Sequence, residues 1–120
     1  MTLKVLVVED DGLVRAMATE ALLDAGFAVL EATTGEEALN YCRQRIADVL
    51  FTDIRLPGAI DGWEIAERCR EANPQLPVIY ATGYSAQHPR RVPRSTLFHK
   101  PYTPEQLVSA VMAAGKARVP

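Results

Sequence analysis

Apolar positions along the chain follow two spacings that alternate, and the alternation predicts the fold. Residues 3–8 (LKVLVV) are almost continuously apolar, as a parallel strand covered on both faces requires, and they run into Glu9, Asp10 and Asp11. From Gly12 the apolar residues recur at helical steps: Val14, Met17, Ala18, Ala21, Leu22 and Ala25 form an inward stripe that Gly26 ends. Residues 28–31 predict a short second strand. Thr34-Gly35-Glu36-Glu37 then reads as a capping box for a second helix with Ala38, Leu39, Cys42 and Ile46 inward. Residues 47–53 (ADVLFTD) are too few, and too rich in β-branched and aromatic side chains, to favour helix. They predict a third strand that delivers Asp53 to its carboxyl end before the Pro57-Gly58 turn. Asp61 caps a third helix with Ile65, Ala66 and Cys69 on its inner face, ending near Asn73-Pro74. Residues 77–82 (PVIYAT) are the fourth strand, stopped by Gly83.

Here the alternation falters. Residues 84–95 occupy the place of a fourth crossover helix, but Pro89, Pro93 and the arginines Arg90, Arg91 and Arg94 leave room for no more than about one turn of it. Residues 97–100 predict a brief fifth strand. Thr103-Pro104-Glu105-Gln106 opens a last helix with a cap, a proline at the first helical position and a glutamine at the third; Leu107, Val108, Val111 and Met112 face inward and Gly115 ends it. The fold class that follows is α/β: a doubly wound five-stranded parallel sheet, flavodoxin-like, with a shortened or degraded fourth helix. Right-handed crossovers and a strand order of 2-1-3-4-5 place a topological switch point between strands one and three. The carboxyl ends of those two strands carry Glu9, Asp10 and Asp53.

Composition narrows the class. A chain of 120 residues is one domain, 1–120, and its 48% apolar and 23% charged content excludes a disordered tail. A net charge of -2 gives no reason to expect nucleic acid, and three arginines between prolines read as a solvated loop. Cys42 and Cys69 lie in helical patterns without metal-ligand spacing and read as small buried hydrophobes in a reducing compartment, not as a disulfide. No apolar run approaches the roughly 18 residues of a membrane span, so a cytoplasmic protein that binds no membrane is expected.

The carboxyl edge is where chemistry concentrates. Three converging carboxylates repel one another, and a hard divalent cation with oxygen ligands relieves that repulsion. His88 and His99 lie outside the acidic strand ends, which argues against a softer metal. The simpler alternative, that Glu9 and Asp10 only complement a helix dipole, leaves the matching Asp53 unexplained. Strand four adds Thr82 and strand five adds Lys100 at the same edge. A carboxylate nucleophile, a cation, a hydroxyl donor and an ammonium form a set suited to phosphoryl transfer.

With those residues in place, the sequence resembles the receiver domain of bacterial response regulators, in the CheY-like superfamily. The matching motifs are VLVVEDD at 5–11, DVLFTDIRLPG at 48–58, DGWE at 61–64, PVIYATGY at 77–84 and HKPYTPEQL at 99–107. The resemblance implies that Glu9 and Asp10 hold Mg²⁺, with Mn²⁺ as a substitute, and that the Arg55 backbone carbonyl completes the protein ligands with Asp53. It further implies that Asp53 is phosphorylated by a histidine kinase or histidine phosphotransfer protein, that Thr82 is the switch hydroxyl and Lys100 the conserved-type lysine, and that Tyr84 and the Arg55 side chain flank the site. Two departures stand out. Leu97 occupies the place of the usual switch aromatic, leaving Phe98 or Tyr84 as substitutes, and Lys100 follows Thr82 by only 18 residues. The ATGY stretch resembles a subgroup of stand-alone alphaproteobacterial receivers with a phenylalanine-alanine-threonine-glycine-aromatic signature.

Three functions compete. The leading expectation is a single-domain phosphoacceptor that signals by protein contact, as a monomer or weak phosphorylation-dependent dimer, since the chain ends at Pro120 just after the last helix. The second is a receiver separated from a hybrid histidine kinase or multidomain transcriptional regulator. The third, a phosphatase acting through an aspartyl phosphate, needs a cap or substrate pocket for which a chain consumed by one sheet and its helices has no residues.

Overall fold

The computed structural model describes residues 2–83 and 90–118. Among these the chain forms β1 (Lys4–Val8), α1 (Gly12–Asp24), β2 (Ala28–Ala32), α2 (Gly35–Arg43), β3 (Val49–Asp53), α3 (Gly62–Ala72), β4 (Val78–Thr82), β5 (Ser95–His99) and α4 (Pro104–Arg118). The strands pair in parallel in the order β2-β1-β3-β4-β5, as the sequence predicts. The period of two in each strand sorts its side chains between two cores. Leu6, Val8, Leu50, Val78 and Tyr80 pack against Ala38 and Leu39 of α2 and Ile65, Ala66 and Cys69 of α3. Val5, Val7, Val49, Phe51, Ile79 and Ala81 pack against Ala18 and Leu22 of α1 and Leu107 and Val111 of α4. Each Val, Leu, Ile or Phe side chain among them taken fully from water contributes about 1.5–3 kcal/mol.

The caps form as the sequence suggests, with one variation. Thr34 accepts from the Glu37 N–H at 3.2 Å, while the Glu37 carboxylate returns to the N–H (3.0 Å) and hydroxyl (2.6 Å) of Thr33. Asp61 caps α3 through the Glu64 N–H at 3.0 Å. Thr103 and Gln106 exchange a reciprocal pair at 3.1 and 2.8 Å.

Four expectations need correction. Gly115 does not end the last helix, which continues to Arg118; a Cβ there would come within 2.4 Å of the Leu3 side chain, so glycine serves close packing of α4 against the start of the chain. Met17 and Met112 do not face inward but are 41% and 50% exposed, because their helices present Ala18, Leu22, Leu107 and Val111 to the core instead. The fifth strand begins at Ser95, earlier than predicted, and pairs with β4 from Val78↔Ser95 onward. Finally, Cys42 and Cys69 form a disulfide, with Cα atoms 5.5 Å apart. They are 27 residues apart in sequence, and only the side-by-side packing of α2 and α3 on one sheet face brings them together.

The described part of the fourth crossover, residues 90–94, packs back onto the domain. Residues 84–89, where part of the predicted helical turn falls, lie outside the described residues; residues 90–94 are non-helical. Val92 enters the core beside Tyr80, and its N–H donates to the buried Tyr80 hydroxyl at 3.1 Å. Trp63 of α3 covers Tyr80 edge-on at 4.8 Å, and Arg70 donates to the carbonyls of Leu76, Pro93 and Arg94. The crossover arginines are tied down in the same way: Arg90 pairs with Glu67, Arg91 binds Ser95, and Arg94 reaches Gln75 and the Pro74 carbonyl.

Candidate functional site

The acids that follow β1 divide their work. The Glu9 N–H extends the sheet by donating to the Ala32 carbonyl at 3.0 Å, which carries its side chain inward to 4% exposure. Arg15 holds the Glu9 carbonyl at 2.9 Å and pairs with Glu31 at 3.3 Å. Asp11 turns away to cap α1, accepting from Leu13 N–H (2.9 Å) and Val14 N–H (3.2 Å). Glu9 and Asp10 therefore remain for the site. Asp53, at the end of β3, accepts from the Ile54 N–H through Oδ1 at 2.7 Å, and this bond orients its carboxylate.

The next strands complete the edge. Asp53 is in register with Ala81, so Thr82 stands one residue beyond it, buried at the end of β4. The Lys100 N–H donates to the Thr82 carbonyl at 2.7 Å, and the Lys100-Pro101 peptide is cis. From there Lys100 Nζ reaches Glu9 Oε1 at 2.7 Å and Asp53 Oδ2 at 3.1 Å. One ammonium thus bridges carboxylates from two strands. Gly62 closes the floor: its N–H donates to the Ile54 carbonyl at 2.8 Å, and a Cβ there would lie 2.2 Å from the Asp53 carbonyl oxygen.

The electrostatics follow from this placement. Burial pushes the Glu9 carboxyl up, the Asp53 charge adds to that, and the hydrogen bond from Lys100 only partly offsets it. Burial works against the Lys100 charge as well, but its bonds to Glu9 and Asp53 outweigh it and Lys100 is pushed up, so it stays an ammonium. Oxygen atoms of Glu9, Asp10 and Asp53 all lie within 4.8 Å of one another. Three carboxylates against one ammonium, one of them buried against its preference, form an all-oxygen set that fits a hard divalent cation.

Residues 5–112 match the family model of the response regulator receiver domain. The chain belongs to that family. Among solved structures it is similar to a response regulator receiver protein from Sinorhizobium medicae, at 31% identity and a TM-score of 0.93, with 98% of each chain covered. It is also similar to the receiver domain of the hybrid histidine kinase CckA, at 32% identity and a TM-score of 0.80, covering 92% of this chain and 97% of that one. The DNA-binding transcriptional regulator NtrC of Klebsiella pneumoniae is 35% identical over 79 residues, 66% of this chain but only 17% of that protein.

In this receiver the sequence-predicted residues fall into three groups. Glu9, Asp10, Asp53 and Lys100 converge, with Thr82 at the adjoining strand end. Arg55 is exposed in the turn after Ile54, and Tyr84 lies outside the described residues. Leu97 and Phe98 point to opposite faces: Leu97 packs with Tyr80 and Val92, while Phe98 stacks on Tyr102 at 6.1 Å. Tyr102 is the residue that sequence reasoning missed. It is buried, meets Phe51 edge-on at 5.5 Å, and burial together with the Glu9 charge pushes its phenol up to about 12. Only its place two residues beyond Lys100 could have signalled it.

Proposed function

We propose that Asp53 is the phosphoacceptor, that Glu9, Asp10 and Asp53 with the Arg55 carbonyl hold Mg²⁺ or Mn²⁺, and that the phosphoryl donor is the phosphohistidine of a histidine kinase or phosphotransfer protein. The observation that carries this reading is the Lys100 ammonium set between Glu9 Oε1 and Asp53 Oδ2. When bound, the cation supplies neutralising charge for phosphoryl oxygens. The chain's own groups do the rest. Asp53 Oδ2 forms the new bond to phosphorus while the P–N bond to the donor imidazole breaks and its electron pair returns to the ring. Lys100, held protonated, compensates charge on the oxygens, and the Thr82 hydroxyl donates to one of them. Phe98, stacked on Tyr102, takes the aromatic switch role that Leu97 lacks.

The exposed Leu13 (86%) and Met17 (41%) on α1 and Met112 (50%) on α4 support a signal passed by apolar contact with a protein partner. Such a receiver is a monomer, or a weak dimer when phosphorylated, that binds no nucleic acid. No helix among the described residues is long and apolar enough to cross a membrane. Dependence on a phosphohistidine donor supports a cytoplasmic location, and Ala81-Thr82-Gly83-Tyr84 with the short crossover supports the stand-alone alphaproteobacterial subgroup. The likenesses to the CckA receiver and to a fraction of NtrC favour a second reading, a receiver from a longer protein, which the length of the gene product decides. The test of the first is incubation with acetyl phosphate and Mg²⁺, read by intact mass. One acyl phosphate should form in the wild type and none in Asp53→Ala; a phosphorylated Asp53→Ala protein refutes the assignment.

A further inference from the structure

The disulfide between α2 and α3 plays no part in phosphoryl transfer. It stands at the far end of those helices from Asp53, and Cys69 is buried at 1% exposure while Cys42 is only partly buried. Beside it is a surface groove of about 390 Å³ lined by Leu39, Cys42, Arg43, Arg68, Glu71 and Ala72, so the groove opens onto Cys42 and not Cys69. The groove is shallow and open to solvent, with room for a small thiol held by its charged groups and not by enclosure. Two of its six lining residues are cationic. Arg68 is half-exposed and pairs with Glu64 at 2.8 Å, whereas Arg43, in the last turn of α2, has no ion-pair partner among the described residues. Glu71 is the one acid on the lining. Arg45, just past α2, donates to the Ala72 carbonyl and brings a third cation to the same end of the helix pair.

We infer that Cys42–Cys69 is a thiol-exchange site, opened and closed by a small thiol that carries carboxylates and is held in this groove by Arg43 and Arg68. The thiolate of the small molecule attacks Cys42 Sγ. The Cys42–Cys69 bond breaks, its electron pair leaves on Cys69 Sγ, and that thiolate takes a proton from water. A second thiolate attacks the small-molecule sulfur of the mixed disulfide, releasing Cys42 as thiolate and the symmetrical disulfide of the small thiol. Two small thiols are oxidised by two electrons and the protein disulfide is reduced; the reverse sequence re-forms it. Regulatory reversibility rests on the proposed cytoplasmic location, since a disulfide persisting in a reducing compartment is ordinarily transient or redox-sensing. The exchange step itself rests on the groove alone.

The experiment uses the full chain in glutathione redox buffers, with acid quench, alkylation and intact mass. Glutathione carries carboxylates and 2-mercaptoethanol carries no charge besides its thiolate, so the two thiols are compared at equal thiolate concentration. The wild type should gain two alkylatable thiols together as the buffer becomes reducing, with glutathione opening the bond faster than 2-mercaptoethanol. Arg43→Ala/Arg68→Ala should slow opening by glutathione roughly five- to tenfold and change opening by 2-mercaptoethanol much less. In Cys69→Ser the remaining Cys42 should capture glutathione readily; in Cys42→Ser the remaining Cys69 should not. A disulfide that resists the most reducing buffer, equal capture at both cysteines, or a glutathione rate indifferent to the arginines overturns the proposal, and the arginine variants keep the test decisive where a cysteine variant fails to fold. Acetyl phosphate labelling of the oxidised and reduced forms runs in parallel. Loss of labelling in both forms would count against Asp53 as phosphoacceptor and leave the thiol result standing.

Discussion

Gly62→Ala tests whether the start of α3 holds the Asp53 segment in place. A methyl group there would lie 2.2 Å from the Asp53 carbonyl oxygen, 2.8 Å from Ile54 Cα and 3.0 Å from the Asp53 carbonyl carbon. All three obstacles are backbone, so no side chain can swing aside. Relief requires α3 and the end of β3 to separate by roughly 1 Å, since unstrained carbon–oxygen contacts begin above about 3 Å. Overpacking of this kind costs about 1–3 kcal/mol, and a rigid backbone neighbour puts it at the upper end. The alanine regains less than about 1 kcal/mol of helix propensity, because Gly62 is the first helical residue. The net expectation is a loss of about 2 kcal/mol in urea unfolding, with acyl phosphate formation slowed by up to about 100-fold, the penalty of a 1 Å misplacement at a reacting centre. Gly12→Ala is the control: its nearest neighbour would be the tip of Arg15 at 3.9 Å, and it should be neutral or slightly stabilising. Equal stability of the two variants, or full phosphorylation by Gly62→Ala, would refute the reasoning.

Two further outcomes follow from the same contacts. In metal-free protein the Glu9 carboxyl should titrate above its ordinary 4.5, as read by ¹³C NMR of the side chain, and Mg²⁺ should lower that midpoint. Because its folded pKa is raised, Glu9 contributes stability that is fully present below the unfolded value and lost as pH rises through the folded one. Lys100, also raised, contributes stability that persists at neutral pH and is lost only above its own folded value. A metal-free midpoint at or below 4.5 contradicts the placement of Glu9. Reducing Cys42–Cys69, whose partners are 27 residues apart, removes a cross-link worth about 3.5 kcal/mol on chain-entropy grounds. The calorimetric Tm should fall by roughly 10–15 °C, and an unchanged Tm would show that the bond does not constrain the unfolded chain.

What could be read from the sequence was whatever local periodicity controls. The continuous apolar runs of β1, β3 and β4 announce a sheet covered on both faces, and the acids at the ends of β1 and β3 announce its working edge. The features that escaped depend on distances across the fold. Cys42 and Cys69 meet only because α2 and α3 lie together; Gly115 reads as a helix stop until Leu3 is seen against it; and Met17 and Met112 continue apolar stripes whose buried positions are taken by their neighbours. Asp11 shows the same limit at the site itself. Three consecutive acids look equivalent in sequence, yet the turn into α1 commits the third to capping. Tyr102 was hidden because an aromatic after Lys-Pro carries no pattern of its own.

The short fourth crossover has a consequence for how charge at the phosphoacceptor edge can be felt elsewhere. On the α3 side, Trp63, Tyr80 and Val92 belong to one core with Leu97 packed against it, and the Tyr80 hydroxyl already accepts the Val92 N–H. Rotating a ring into that space would strand a buried N–H, at a cost of about 1–3 kcal/mol. The other face has a different character. Phe98, Tyr102 and Phe51 make a run of ring contacts beneath the site, and the charges of Glu9, Lys100 and Asp53 all act on the Tyr102 phenol. Leu97 and Val92 of the short crossover thus share the core beside Tyr80 on the α3 side. The aromatic groups on which the acidic cluster acts, Tyr102 with Phe98 stacked on it, lie in the other core with Leu107 and Val111 of α4.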